Sequence, residues 1–272
     1  MYVVTEYPDG IFCWIDLTTP DQQGAKAFYA GLFGWQTEDR PTGMGSMMYT
    51  MLMMDGYSVA GLGPMRPEMQ AQGIPAFWTA YIKSSDVDAA AARVAEAGGV
   101  VMMPPMDVMT QGRMMLAQDP TGAMIGIWQP RDHTGSQLVN MPNTLVWTEL
   151  QTRNPAQATA FYAHVFGWTD TTDETGYTVF AQNGRQQAGM MKMDENWGNV
   201  PPNWALYFMV SDLAAIVAAA QTLGGRVVVP PTPAGAMGHF AVLQDPHGGV
   251  FNVMQIDPAY VDAPPGAETS VN

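Results

Sequence analysis

The chain has 272 residues, of which 47% are hydrophobic, and a formal net charge of −14 at pH 7. This charge argues against nucleic acid and anionic membranes as partners, because both attract clustered Lys and Arg. The single cysteine, Cys13, excludes an internal disulfide and is typical of a reducing compartment. The N-terminus has no basic region or long apolar run, so we expect a cytoplasmic protein without a signal peptide or membrane span.

The elements of the first half follow from hydrophobic periodicity. Alternation from Ile11 to Leu17 predicts a strand, and Thr19-Pro20-Asp21 predicts the start of a helix that has Thr19 as its N-cap. Gly34 ends this helix, and three strands then complete a βαβββ unit. After a predicted linker at 66–74, a second unit has a strand at 77–83, a helix at 86–97 and strands at 100–106, 112–118 and 124–129.

The pattern of the first half then recurs in the second. A motif containing Trp14 and Asp16 returns 133 residues later with Trp147 and Glu149, and the constant offset over about two dozen positions indicates a duplication. The later helices are predicted at 155–166 and 212–223, the latter with Ser211 as its cap. We therefore predict an α+β fold of four βαβββ units paired into two tandem domains, 1–132 and 144–258. A linker at 133–143 joins them, and a flexible tail follows at 259–272.

These motifs resemble the vicinal oxygen chelate superfamily, which includes glyoxalase I, bleomycin-resistance proteins and extradiol dioxygenases. The carrying residues are the repeated first strand with its Pro20-Asp21 helix start, Phe33-Gly34-Trp35, Gly98-Gly99 and Asp119-Pro120-Thr121-Gly122. Asn140 and the run from Trp147 to Leu150 resemble the two-domain glyoxalase-like proteins of actinobacteria, a subgroup that includes a culture-filtrate antigen. The resemblance implies a curved mixed-sheet groove in each domain, with the helices on the outside.

The resemblance also implies a metal site in the metal-dependent members. There, up to four side chains from the first and last strands of each unit hold a cation, typically His or Gln and Glu. The matching positions here are Trp14, Gly61, Thr79, Gly126, Trp147, Gly189, Ala205 and Asn252. Only Asn252 offers a ligand atom of that kind, and one amide oxygen binds a transition metal poorly. We therefore expect no cofactor, and a divalent metal with displaced ligands is the alternative.

Strand parity predicts which residues line the two grooves. The ligand-binding candidates are Trp14, Asp16, Tyr81, Arg113, Trp128, Trp147, Tyr207 and Asn252, and the catalytic candidates are Glu149 and His239. An indole beside a carboxylate offers a stacking surface and a polar handle or general base. Alternatively, Arg113 and Asp16 form an inert ion pair, and each carboxylate is structural.

Two functions remain open from the sequence. One is a protein that binds a small, partly aromatic molecule in a Trp- and Met-lined groove, as the bleomycin-resistance members do without metal ligands of their own. The other is a lyase, isomerase, hydrolase or oxygenase-like enzyme that uses Glu149 and His239, or a displaced metal. A third reading is an oligomeric interaction protein. The expected partner is a small molecule, and the protein is a monomer with an internal pseudo-dimer, or a homodimer.

Overall fold

Sixteen strands form two eight-stranded mixed sheets in the computed structural model, which describes residues 2–43 and 45–261. The first sheet has the strand order β2-β3-β4-β1-β5-β8-β7-β6 and the second has β10-β11-β12-β9-β13-β16-β15-β14. Each sheet therefore joins two βαβββ units, as predicted, and the fold is α+β. Most of the predicted flexible tail, residues 262–272, lies outside the described residues.

The strand bounds of the first sheet are Phe12–Thr19 (β1), Gln36–Pro41 (β2), Met48–Met54 (β3), Tyr57–Pro64 (β4), Phe77–Lys83 (β5), Val100–Val108 (β6), Gly112–Gln118 (β7) and Met124–Pro130 (β8). Those of the second are Leu145–Thr152 (β9), Thr169–Thr172 (β10), Thr178–Gln182 (β11), Arg185–Lys192 (β12), Asn203–Met209 (β13), Arg226–Pro233 (β14), Gly238–Gln244 (β15) and Val250–Ile256 (β16). In each sheet the first strands of the two units, β1 with β5 and β9 with β13, pair antiparallel at the centre.

The described residues contain five α-helices, Gln22–Phe33 (α1), Pro67–Ala71 (α2), Val87–Glu96 (α3), Pro155–Phe166 (α4) and Leu213–Thr222 (α5). The predicted N-caps Thr19 and Ser211 are wrong by one or two residues. Asp21 and Asp212 cap α1 and α5, because their carboxylates accept from the free N–H groups of Gly24 and Ala215, each at 2.9 Å. The predicted linker at 66–74 contains the short helix α2. No helix within the described ranges has the length and apolar character needed to cross a bilayer.

The helices lie outside the grooves, where they form a layer that both halves share. Helix α1 contacts α5, and α3 contacts α4. The Tyr29 hydroxyl on α1 donates to Asp245 of the second half at 3.0 Å, and Tyr162 on α4 donates to Asp119 of the first half at 2.9 Å. One continuous apolar core therefore includes residues from both sheets. The opposite face of each sheet is left to form a groove.

Candidate ligand-binding site

A partly buried carboxylate lies at the centre of the first groove. Asp16 on β1 lies opposite Thr79 of β5 and Gly61 of β4. Its oxygens accept hydrogen bonds from the hydroxyls of Tyr49, at 3.2 Å, and Tyr81, at 3.2 and 3.3 Å. Burial raises the pKa of Asp16 to about 6, and the two phenol hydrogen bonds act in the opposite direction.

The second groove repeats this arrangement around Glu149, which is 4% exposed. Its carboxylate accepts from Tyr177 at 3.0 Å, from Tyr207 at 3.2 Å and from the amide of Gln151 at 3.2 Å. Trp147 Nε1 donates to the Tyr177 hydroxyl at 3.1 Å. Burial raises the pKa of Glu149, and its three hydrogen bonds lower it in part. The carboxyl group is therefore held firmly beside the second groove and binds a proton more readily than an exposed one.

The residues at the metal-ligand positions of the superfamily do not fit a metal ion. Gly61, Gly126 and Gly189 have no side chain there. A Cβ atom at Gly61 would overlap the Tyr49 hydroxyl, and one at Gly189 would overlap that of Tyr177. The Asn252 amide is engaged with the Leu206 carbonyl at 3.2 Å. Tyrosines thus occupy the space in which ligand side chains would stand. Within residues 2–43 and 45–261, no three His, Cys, Asp or Glu side chains converge in a way that suits a cation.

The first groove is filled by the chain itself. The His133 ring lies perpendicular to Trp14, with ring centroids 4.3 Å apart, and 5.8 Å from the ring of Trp128. Trp128 Nε1 also donates to the His133 carbonyl at 2.9 Å. Burial lowers the pKa of His133 to about 4, so the ring is neutral near pH 7. Sequence analysis treated His133 as part of an interdomain linker, whereas the structure places it inside the first groove.

Residues 136 and 137, which follow His133, also help to close the first groove. The Ser136 N–H donates to the Cys13 carbonyl at 2.8 Å, and the Gln137 N–H donates to the Ser58 carbonyl at 2.7 Å. Residues 136–137 therefore join β1 to β4 beyond the point where the two strands pair directly. A second apolar cluster surrounds this segment and includes Val4, Tyr7, Ile11, Cys13, Trp14, Met51, Tyr81, Trp128 and Val139. The first groove is consequently a closed core.

The second groove contains a cavity of about 750 Å³. Its wall includes Trp147, Glu149, Tyr177 and Tyr207, together with an apolar lining of Val179, Phe240, Met237, Met254, Ile256 and Ala259. Gln187 also lies on this wall, and both polar atoms of its buried amide have no hydrogen-bond partner among the described residues. A mostly apolar cavity of this size with a few fixed polar groups is typical of a small-molecule site.

Smaller side chains explain why only the second groove is open. In the repeat, Met51 corresponds to Val179 and Val108 to Ala234. Trp128 corresponds to Met254 and His133 to Ala259. Met51, Trp128 and His133 lie in or against the closed core of the first half. Their counterparts, Val179, Met254 and Ala259, line the cavity. The difference between the halves thus lies in these side chains.

The structure brings together most of the predicted site residues. In the first groove these are Trp14, Asp16, Tyr81 and Trp128, and in the second they are Trp147, Glu149 and Tyr207. Asn252 is buried beneath the second groove and does not line its cavity. The hydrogen bonds of Asp16 and Glu149 to tyrosines could not be derived from the sequence.

The predicted inward positions of Arg113 and His239 are wrong. Arg113 faces the helix layer, where it forms ion pairs with Asp88 at 2.9 Å and Asp107 at 3.2 Å. His239 is exposed and lies near Asp212, away from Glu149, while its neighbour Phe240 faces the cavity. Both faces of β7 and β15 are largely apolar, so alternation alone did not mark the inward face. The hypothesised pairs Asp16 with Arg113 and Glu149 with His239 do not form.

Sequence reasoning missed the tyrosines that bind the two carboxylates from β3 and from the turn before β11. Tyr49 and Tyr177 are counterparts in the repeat, each 12 residues before the glycine that it covers. That shared spacing to Gly61 and Gly189 was a signal available from the sequence. It would have placed a phenol hydroxyl over each glycine.

Two curved mixed sheets built from paired βαβββ units, each with its central side chains in a groove, define the class of protein. The chain belongs to the glyoxalase/bleomycin resistance protein/dioxygenase superfamily, whose family model matches residues 11–127 and 144–253.

Relatives in actinobacteria are similar over nearly their whole length. "Putative glyoxylase CFP32" of Mycobacterium tuberculosis is 41% identical over 258 residues, which is 93% of this chain and 98% of the relative. "Anthracycline biosynthesis protein DauV" of a Streptomyces species is 36% identical and covers 97% of this chain and 100% of its own length.

Solved structures agree in fold. A Mn(II)-bound glyoxalase from Novosphingobium aromaticivorans superposes with a TM-score of 0.61 at 16% identity, over 92% of this chain and 83% of the other. Homoprotocatechuate 2,3-dioxygenase from Arthrobacter globiformis superposes with a TM-score of 0.64 at 17% identity, over 97% and 86%. At these identities the likeness extends to the fold alone.

Proposed function

We propose that the protein binds a small, partly aromatic organic molecule in the cavity of its second half, without a metal ion. The observation that carries this proposal is the contrast between the grooves: one is closed by the chain itself, and its duplicate holds a cavity of about 750 Å³ beside Trp147 and Glu149. A cavity of this kind in one of two duplicated grooves is the default location for a ligand.

Two further observations support an aromatic ligand with polar substituents. Indole and phenol rings form one side of the cavity, and methionine side chains, which adapt to ring surfaces, form another. A buried amide without a partner costs about 1–3 kcal/mol, so a polar group of the ligand near Gln187 would recover that energy. The relative named for anthracycline biosynthesis makes a planar polycyclic compound a reasonable probe.

The test is calorimetric titration of the protein with 1,4-dihydroxyanthraquinone, an uncharged hydroxylated three-ring compound. We expect one site per chain, with affinity weakened at least about tenfold in Trp147→Ala and unchanged in Trp78→Phe. Trp78 is a partly buried tryptophan of β5 whose indole donates to Tyr29 on α1, away from the cavity. Equal affinity in the Trp147→Ala variant would place the ligand elsewhere, and absence of binding to the parent protein would refute the choice of ligand class.

A second candidate function is proton transfer, and the Glu149–Tyr207 pair favours it. A buried carboxyl group whose pKa is raised holds a proton more readily than an exposed one, and the Tyr207 hydroxyl, 3.2 Å away, lines the same cavity. Glu149 with Tyr207 therefore replaces Glu149 with His239 as the candidate acid–base pair. The lyase or isomerase alternative rests on this pair, because the residues present do not fit a metal ion.

The proton-transfer function is tested with 2-tetralone, an aromatic ketone with acidic C–H groups, in D₂O. Exchange of its α-protons is followed by NMR in the presence of the parent protein and of Glu149→Gln. We expect the parent protein alone to accelerate the exchange. Equal rates in the two proteins would leave ligand binding as the function and remove the enzymatic reading.

A further inference from the structure

The two halves remain in register beyond their last strands, so the filled groove serves as a template for the open one. The Arg131 N–H donates to the Gln111 carbonyl at 3.0 Å, and the Asp257 N–H donates to the Met237 carbonyl at 2.9 Å. These are the same hydrogen bond in the two repeats. Two residues further on in the chain come His133 in the first half and Ala259 in the second, so the two positions correspond in the sequence of the repeat. Their backbone hydrogen bonds differ, because the His133 N–H donates to the Gln111 carbonyl at 3.1 Å and the Ala259 N–H donates to the Asp257 carboxylate at 2.9 Å.

In the first half this position delivers an aromatic ring to a tryptophan. The planes of His133 and Trp14 make an angle of 82° at a centroid distance of 4.3 Å, which is an edge-to-face contact. Such contacts contribute about 0.5–1.5 kcal/mol beyond the burial of the rings. The imidazole is neutral, because burial lowers its pKa. The contact therefore shows what the wall of this groove accepts: a planar, uncharged ring.

The second half has the same indole–phenol wall but no ring at the position that corresponds to His133. Trp147 and Tyr177 repeat the indole–phenol hydrogen bond of Trp14 and Tyr49, at 3.1 Å against 3.0 Å. Ala259 ends at Cβ, and Met254 replaces the rigid indole of Trp128. Both line the cavity together with Trp147, and no aromatic ring of the described residues stacks on or packs edge-on against the Trp147 indole.

We infer that Ala259 and Met254 are the residues that determine specificity, and that they admit an uncharged planar ring of the ligand to the place that the His133 imidazole occupies in the first half. This inference rests on the proposed function and adds where the ring lies and what admits it. A charged ring is disfavoured, because it would be desolvated against a mostly apolar lining. The thioether of Met254 suits a ring edge.

The first arm of the experiment closes the open groove. Ala259→His restores the ring of the first half at an exposed position, where substitution does not threaten folding, and Ala259→Ser is its matched control. The probe is 1,4-dihydroxyanthraquinone, measured by calorimetry. We expect binding to weaken about tenfold or more in Ala259→His, and further when Met254→Trp is added, while Ala259→Ser stays within about twofold of the parent.

The second arm opens the closed groove. His133→Ala removes the imidazole that covers Trp14, and His133→Phe keeps a ring there. With benzimidazole as the probe, we expect His133→Ala to gain one site per chain relative to the parent, and His133→Phe to gain none. Tryptophan fluorescence locates the new site. Benzimidazole should quench the emission of Trp14 in His133→Ala, and this quenching should be absent in the double variant that also carries Trp14→Phe.

The outcomes separate the two proposals. If the parent protein binds 1,4-dihydroxyanthraquinone and Ala259→His binds it equally well, the ring position is overturned while the proposed function stands. If His133→Ala gains no benzimidazole site, the equivalence of the two places fails. If the parent binds neither probe, the proposed function and this inference fall together.

Discussion

The two halves of this molecule share a wall and differ in what covers it. In each half an indole N–H donates to a phenol hydroxyl, and this phenol and a second one donate to a carboxylate. The carboxylate is Asp16 in one half and Glu149 in the other. In the first half His133 and the chain after it close the groove, and in the second a cavity remains.

This difference shows that the carboxylate network does not by itself identify a functional site. The same network is core packing where the groove is closed and a cavity wall where it is open. Function is therefore assigned from the residues that cover the wall, His133 and Trp128 against Ala259 and Met254. The following predictions test how far the two halves differ.

The largest expected effect separates the two tryptophans of the repeat. Trp14 is 4% exposed within the closed core, so Trp14→Ala should cost about 3–5 kcal/mol of unfolding free energy. Trp147 faces the cavity and is only partly buried, so Trp147→Ala should cost about 1–2 kcal/mol, because part of its surface is already in contact with water. Urea unfolding of both variants measures the difference. Equal losses would mean that the second groove is as tightly packed as the first.

The closed groove should also make the protein sensitive to acid through His133. Burial lowers its folded-state pKa to about 4 from 6.5, so the folded state binds this proton less readily than the unfolded state. Stability attributable to His133 is complete above pH 6.5 and is lost as pH falls towards 4, by up to about 3 kcal/mol. His133→Phe should remove this loss in unfolding measurements between pH 7 and 4. The exposed His239 provides the control: His239→Gln should keep the pH profile of the parent.

Asp16 should act in the opposite direction over a similar range. Its folded-state pKa is raised from 3.8 to about 6, so the stability that its protonation provides is present below pH 3.8 and is lost as pH rises through 6. The change is at most about 3 kcal/mol, and solvent around the partly buried carboxyl reduces it. Asp16→Asn should abolish this slope. A His133→Phe background isolates the effect, and an unchanged slope in the double variant would show that the carboxyl does not titrate there.

The smallest effect should be the same in both halves, because the interface between them is symmetric. The Tyr29 hydroxyl donates to Asp245 and accepts from Trp78, and the Tyr162 hydroxyl donates to Asp119 and accepts from Trp204. Tyr29→Phe and Tyr162→Phe each leave a buried carboxylate and an indole N–H without that partner, which should cost about 1–3 kcal/mol of unfolding free energy. Thermal unfolding should show losses that agree within about 0.5 kcal/mol. A clear inequality would show that the halves differ in more than their grooves.

Sequence reasoning predicted the strands and helices well, and its errors have a common physical cause. β7 and β15 carry largely apolar side chains on both faces, one towards the helices and one towards a groove, so the alternation of polar and apolar residues that would mark the inward face is missing. Arg113 and His239 were therefore assigned to the wrong face. Strict alternation would place Phe12 on the same face as Trp14, but a register shift between them turns Phe12 to the other face, where its ring lies 4.8 Å from that of Trp204.

The sequence by itself determined the duplication, the α+β fold of paired βαβββ units and the absence of any donor side chain at Gly61, Gly126 and Gly189. These features depend on local periodicity and on residue identity, which a sequence states directly. Only the tertiary structure decided that His133 closes one groove and that Ala259 leaves the other open. That outcome depends on where the segments around His133 and Ala259, which have no hydrophobic periodicity, run over their sheets. Their paths are set by long-range contacts, which a local sequence pattern does not encode.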